Sequence, residues 1–293
     1  MTLPLHKLAP PVRPEYLREL APLPQQKIEQ PLPLRVRLWN SAGLRKSGLL
    51  VILLLLWQAA ALWQQNDLLL PSFTQTLRAF IEDTVSGELP NKIAISLGTL
   101  IKGYALGSLL ALALSALAVS SRLFRDLLGM LTSMLNPLPA IALLPLALLW
   151  FGLGENSLIF VLTHSVLWPM ALTTWSGFMS VSETLRMAGR NYGLSGFRYV
   201  WHILIPAALP AILSGLKIGW AFAWRTLIAA ELVFGASSGA GGLGWYIFQN
   251  RNELFTDRVF AGLASVIVIG LLVESLIFAT LERLTVKRWG MQR

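Results

Sequence analysis

Six stretches of this sequence are each long and apolar enough to cross a lipid bilayer, and no other feature restricts the fold as much. A hydrocarbon core of ~30 Å takes about 20 helical residues at ~1.5 Å each. Residues 47–64, 94–119, 127–150, 158–178, 207–233 and 259–281 meet that requirement. Runs of this length specify helices, because a helix satisfies its own backbone where no water reaches. The expected fold class is therefore an all-α integral membrane protein with six transmembrane helices. Composition agrees: 55% of the 293 residues are hydrophobic and only 13% are Asp, Glu, Lys or Arg, against the ~25% of an ordinary soluble domain. The net charge of +9 would suit nucleic acid if the basic residues formed a patch. They sit instead in short groups between apolar runs, so no nucleic-acid partner is expected. The absence of cysteine excludes thiolate catalysis and disulfides. His6, His164 and His202 are too scattered to suggest a metal site.

Basic residues orient membrane proteins, because short cytoplasmic loops retain Lys and Arg. With the N-terminus inside, seventeen Lys and Arg fall on the cytoplasmic side, four outside (Arg78, Lys92, Arg251 and Arg258) and three within spans. Both termini are thus expected in the cytoplasm. Residues 1–46 form a tail holding eight of the sixteen prolines, which prevents a long helix. It reads either as a loosely ordered extension or as a segment docking on a partner or the membrane surface. It lacks the apolar stretch and small-residue site of a cleavable signal peptide. The first span, residues 47–64, is almost pure Leu, Val, Ile and Ala and reads as lipid-facing. The other five carry Gly, Pro or charge and read as a packed core. Residues 65–93 are an outer segment, in which Arg78–Glu88 suggests a short amphipathic helix.

Three basic residues lie within spans, where charges are expensive and functional by default. Lys102 and Lys217 are placed near mid-membrane, and Lys217, Trp224 and Glu231 recur every seven residues on one helix face. Arg225 lies about 80° away around that helix. A deep positive charge suits the path of a small anion; the alternative is a buried pair between Lys217 or Arg225 and Glu231 or Glu274. His164 is either a substrate contact or a hydrogen-bonded packing residue. Pro137 and Pro139 break the third span, and broken helices at membrane depth are tolerated where they line a cavity. Gly103 and Gly107 form a G-x-x-x-G close-packing motif. Gly239–Gly244 spells a formal dinucleotide fingerprint. It lacks the preceding strand that the chemistry requires, so it reads as a turn before a short helix, Trp245–Asn250.

The longest cytoplasmic loop, Val181–Pro210, is the most informative. Ser180 and Glu183 have capping-box spacing for a helix starting at Val181, and Gly193 can end it in the left-handed conformation. A small basic helix projecting from a membrane protein suggests a docking element. Met187-Ala188-Gly189, then Gly193, then Ile203-Leu204-Ile205-Pro206 resemble the E-A-A…G…I-x-L-P loop of type I ABC importer permeases. Met187 replaces the Glu and Gly189 the second Ala. Asn136–Ser157, Met187–Gly196, Pro206–Lys217 and Ala229–Ile247 are similar to the sulfonate, taurine and nitrate branch of that family.

The resemblance implies a type I (MetI-like) permease fold, with an ABC transmembrane type-1 domain over about 88–282 and a coupling loop over about 180–206. The C-terminal tail is then 283–293. It further implies a bacterial inner-membrane complex of a second copy of this chain, two copies of an ABC ATPase and a periplasmic solute-binding protein. ATP and magnesium would be bound by the ATPase, with no cofactor in this chain, which is a transport subunit rather than an enzyme. Met187, Ala188, Gly189, Arg190, Gly193, Ile203 and Pro206 would couple to the ATPase. Lys102, Pro137, Pro139, His164, Lys217, Trp224, Arg225 and Glu231 are the candidate pathway residues. The competing class is a carrier driven by an ion gradient, which predicts an inverted repeat and deep acidic residues; only Glu274 fits, and no repeat is evident.

Overall fold

The computed structural model describes residues 40–234 and 241–288. The first 39 residues of the tail, the first two glycine-run positions (239 and 240) and residues 289–293 lie outside that range. The chain divides into two units, residues 1–53 and 54–293. The boundary falls inside α1 (Ala42–Gln64). In the first unit, the hydroxyl of Ser41 accepts the amide of Leu44 at the start of α1, and Leu49, Leu50 and Leu53 are exposed.

The second unit is all-helical among its described residues. It contains α2 (Phe73–Val85), α3 (Glu88–Ser120), α4 (Arg122–Leu135), α5 (Leu144–Phe151), α6 (Glu155–Met179) and α7 (Glu183–Asn191). Then follow α8 (Gly196–Tyr199), α9 (Ile205–Ala207), α10 (Leu209–Phe234), α11 (Leu243–Asn252), α12 (Thr256–Leu272) and α13 (Ala279–Glu282). α1, α3, α6 and the run Thr256–Val286 are each long and apolar enough to span a bilayer. Two bent pairs bring the number to six. α4 meets the 140–151 segment at 90°, and the 196–207 segment meets α10 at 79°. Fourteen residues of α4 and eight of α5 reach ~21 and ~12 Å, so neither crosses alone.

The sequence expectation of a short outer helix at Arg78–Glu88 is shifted. Ser72 forms a capping box with Gln75 and starts α2 five residues earlier, at Phe73. Likewise α11 begins at Leu243 rather than Trp245.

α6 is the centre of the packing. Thirteen of its 25 residues are buried, against one of 23 in α1. One side of α6 lies on α3 across Gly103 and Gly107. A methyl group at Gly103 would stand 2.5 Å from the Leu162 Cβ, and one at Gly107 2.8 Å from the Val166 Cβ. The G-x-x-x-G motif is therefore a seam that admits nothing larger than hydrogen. The other side of α6 lies on α10, through Ala208 and Ala211 beside Gly177. Cross-helix bonds to backbone carbonyls fasten these elements, from Ser115 to Ala171 (3.1 Å) and from Tyr104 to Leu216 (2.9 Å). By contrast α1 leaves Leu55, Leu56, Leu62 and Trp63 exposed, a surface suited to lipid.

Candidate functional site

The break between α4 and α5 opens a cavity of about 330 Å³ against α6 and α10. Asn136, Pro137 and Pro139 form one wall, His164 and Trp168 a second, and Arg225 with Phe222 a third. The prolines cause the break: Pro137 and Pro139 cannot donate to a helical ladder. Pro139 has φ −61° and ψ 119°, after which a tight turn at Ala140–Leu143 leads into α5. Nine residues separate His164 from the Glu155 end of α6, and nine separate Arg225 from the Phe234 end of α10. At ~1.5 Å per residue both lie ~14 Å in from those ends.

The lining is unusual in its unspent polar capacity. Neither ring nitrogen of His164 nor the indole nitrogen of Trp168 has a hydrogen-bond partner among the described residues; the two rings meet edge to face at 6.0 Å. The Arg225 guanidinium donates to the carbonyl of Ala221, one turn back, at 2.9 Å and lies 5.0 Å from the centre of the Phe222 ring. Among the described residues no carboxylate stands within ion-pair distance of it. No Asp or Glu lines the cavity.

The other candidate pathway residues lie elsewhere, and each is engaged. Lys102 pairs with Glu155 at 2.7 Å, and Thr99 bonds the same carboxylate. Lys217 pairs with Glu274 at 3.0 Å, in a separate groove that Arg225 also borders. The Trp224 indole donates to the Val266 carbonyl at 3.3 Å, and its ring stacks on Trp220. Glu231 is 4% exposed. Its carboxylate accepts the Ser96 hydroxyl at 2.8 Å and the Gly244 amide at 2.7 Å, while the Leu243 amide bonds Ser96 at 2.8 Å. It thus satisfies open amides at the start of α11, where the helix dipole favours negative charge. Of the eight candidates, Pro137, Pro139, His164 and Arg225 converge on one site.

A second polar cluster ties α2, α11 and α12 together. The Tyr246 hydroxyl donates to the Asp83 carboxylate, which Arg258 approaches at 3.6 Å. Burial, and then the bond to Asp83, push the Tyr246 hydroxyl above the ordinary tyrosine range.

At the other end of the molecule α7 begins at Glu183, behind Ser182, rather than at Val181. The expected capping box does not form, because the Ser180 hydroxyl bonds back to the Gly177 carbonyl at the end of α6. Gly193 does stop the helix, with φ +73° and its amide on the Arg190 carbonyl at 2.9 Å. Arg190 sits 3.9 Å from Glu183. Gly189 is buried and faces inwards: a methyl group there would lie 2.9 Å from Ile203 and 3.1 Å from Tyr199. Its smallness serves packing within the chain. Ala188 beside it is half-buried. Met187 and Tyr192 are 54% and 85% exposed and form the outward apolar face. Pro206 follows a π-helical turn, Val200–Leu204, as expected where proline disrupts the ladder.

Sequence reasoning did not pick out Ser96, Asp83 or Glu155 as partners of Glu231, Tyr246 and Lys102. Their partners lie 135, 163 and 53 positions away, and only helix packing brings them together.

Residues 103–286 match the family model described as binding-protein-dependent transport system inner membrane component. The chain is 32% identical over 246 residues to the taurine transport system permease protein of Escherichia coli, covering 81% of this chain and 87% of that protein. It is 34% identical over 235 residues to a protein of the same bacterium named for aliphatic sulfonate transport, covering 80% and 87%. It is 30% identical over 256 residues to the nitrate import permease protein of Synechocystis, covering 85% and 91%.

Proposed function

Since the chain belongs to the family of binding-protein-dependent transport system inner membrane components, we propose that it carries a small anion, such as a sulfonate or nitrate, through the cavity beside Arg225. The observation that carries this reading is the guanidinium itself. It sits far from either end of α10, it lacks a carboxylate partner among the described residues, and it borders a cavity built where a span is broken. A membrane-depth cation not neutralised by its own chain is set to receive a negative solute.

The permease acts as two copies, with two ATPase subunits on the α7 side and a solute-binding protein at the opposite mouth. The excess of basic residues around α7 and the termini supports a cytoplasmic position for that side. Closure of the ATPases on ATP draws the two α7 helices together, and the movement passes through the Gly189–Ile203 contact into α10. α10 carries Arg225, so the cavity turns from one face of the membrane to the other. Phosphoryl transfer belongs to the ATPase; this chain binds, orients and releases.

The test is uptake of the cognate anion by the reconstituted complex. Arg225→Gln should remove most uptake while the complex assembles and still hydrolyses ATP, and Arg225→Lys should retain part of it. Normal uptake by Arg225→Gln would refute the assignment.

A further inference from the structure

A second cavity, of about 340 Å³, lies where α3 and α6 end, beside α7. Ser120, the last residue of α3, and Met179, the last of α6, line it. So do three arginines: Arg125 from α4, and Arg186 and Arg190 from adjacent turns of α7. No Asp or Glu lines it.

The three arginines are not equally engaged. Arg186 is fixed, because its guanidinium donates to the carbonyls of Val181 and Phe178 at the end of α6. That spends two of its five donors. Arg190 stands 3.9 Å from Glu183, beyond hydrogen-bond reach, and both side chains are more than half exposed, so that contact contributes little. Arg125 has no carboxylate within ion-pair distance among the described residues. Tyr199 also lines the cavity, and its hydroxyl is covered yet has no hydrogen-bond partner among the described residues. Covered hydroxyls nearly always have one. The cavity thus combines unspent positive charge with an unfilled polar contact.

Its level in the membrane points to the group that completes it. α3 and α6 are both spans, so a cavity at their ends lies at headgroup depth. Phe197 and Trp201, on either side of Tyr199 in sequence, stack at 6.2 Å and are 73% and 58% exposed. Exposed aromatic rings at such a level anchor at the lipid–water boundary. Guanidinium groups pair bidentately with phosphate oxygens, and basic pockets between spans hold anionic headgroups.

We propose that this cavity binds the phosphodiester of an anionic phospholipid, with Arg125 and Arg190 as its cationic walls and Arg186 held in place behind them. The bound lipid joins α4 to α7 where the spans end, and makes the seat of α7 sensitive to the charge of the surrounding lipid. The site is separate from the Arg225 cavity and does not rest on reading that cavity as the solute path.

The test is native mass spectrometry of the permease–ATPase complex in detergent. The complex is titrated with dioleoylphosphatidylglycerol, or with dioleoylphosphatidylcholine, which has the same chains and phosphodiester but no net charge. Phosphatidylglycerol should be retained preferentially. Arg125→Gln combined with Arg190→Gln should weaken its binding by roughly fivefold per arginine, and the corresponding double lysine variant should keep most of it. Arg198→Gln, at an exposed arginine outside the cavity, should change it little. The same spectra report whether each variant assembles; if the double glutamine variant does not, the two single variants carry the comparison. Equal retention of the two lipids, or undiminished retention by the glutamine variants, would overturn the proposal. Inorganic phosphate that binds by itself and displaces the lipid would overturn it too, by making a free anion the occupant.

Discussion

Lys217 and Glu274 stand 3.0 Å apart on facing helices. Each is costly alone at membrane depth, and the pair lowers that cost. Lys217→Met should strand the carboxylate and lower the melting temperature of the solubilised complex. The loss should fall below the ~3–5 kcal/mol of a fully buried pair, because both side chains are partly exposed. Adding Glu274→Gln should restore much of it, whereas a pathway role for Lys217 predicts lost uptake with unchanged melting. Tyr246 gives a second prediction. Its hydroxyl is held above the ordinary tyrosine range by burial and by Asp83. The resulting stability is fully present below about pH 10 and is lost as pH rises towards the folded-state value. Wild-type melting should therefore fall above pH 10 more steeply than that of Tyr246→Phe. At neutral pH the variant should be less stable by about 1–3 kcal/mol, since Asp83 loses its buried donor. At this scale the sequence was only partly legible. Hydropathy identified Lys102, Lys217 and Arg225 as exceptional, but which of them is left without a carboxylate depends on how helices are rotated against one another. No periodicity within one helix carries that information.

α7 is the element where close reading of the sequence and the structure part company most usefully. The motif spacing located the helix and its stop at Gly193, because a left-handed residue is a strong local signal. The starting point was missed because three candidate caps, Ser180, Ser182 and the end of α6, compete within a few residues. The two small residues read as partner-facing, yet Gly189 packs under Tyr199 and Ile203. Gly189→Trp should accordingly destabilise the permease itself by overpacking, by ~1–3 kcal/mol or more, visible as lower melting without any ATPase present. Met187→Lys changes only the exposed face, so melting should hold while ATPase co-purification and coupled uptake fall. The reverse pattern would place the docking face on the wrong side of α7. The broken third span was legible for a physical reason: prolines at 137 and 139 cannot continue a helix. Its 90° bend was not, since the angle is set by packing on α6.

At the largest scale, the helices of the second unit pack around α6, and α10 joins several of the features described above. It borders the cavity through Arg225 and holds the start of α11 through Glu231. Six apolar runs conveyed the membrane class from sequence alone, because bilayer thickness acts on single segments. The measurement that tests the account most directly is solute accumulation in proteoliposomes containing the permease and its ATPase, with the binding protein supplied on the side opposite α7. The account predicts uphill accumulation of the anion that requires ATP on the α7 side and is unaffected when proton and sodium gradients are collapsed. Accumulation driven by an ion gradient in the absence of ATP would contradict it.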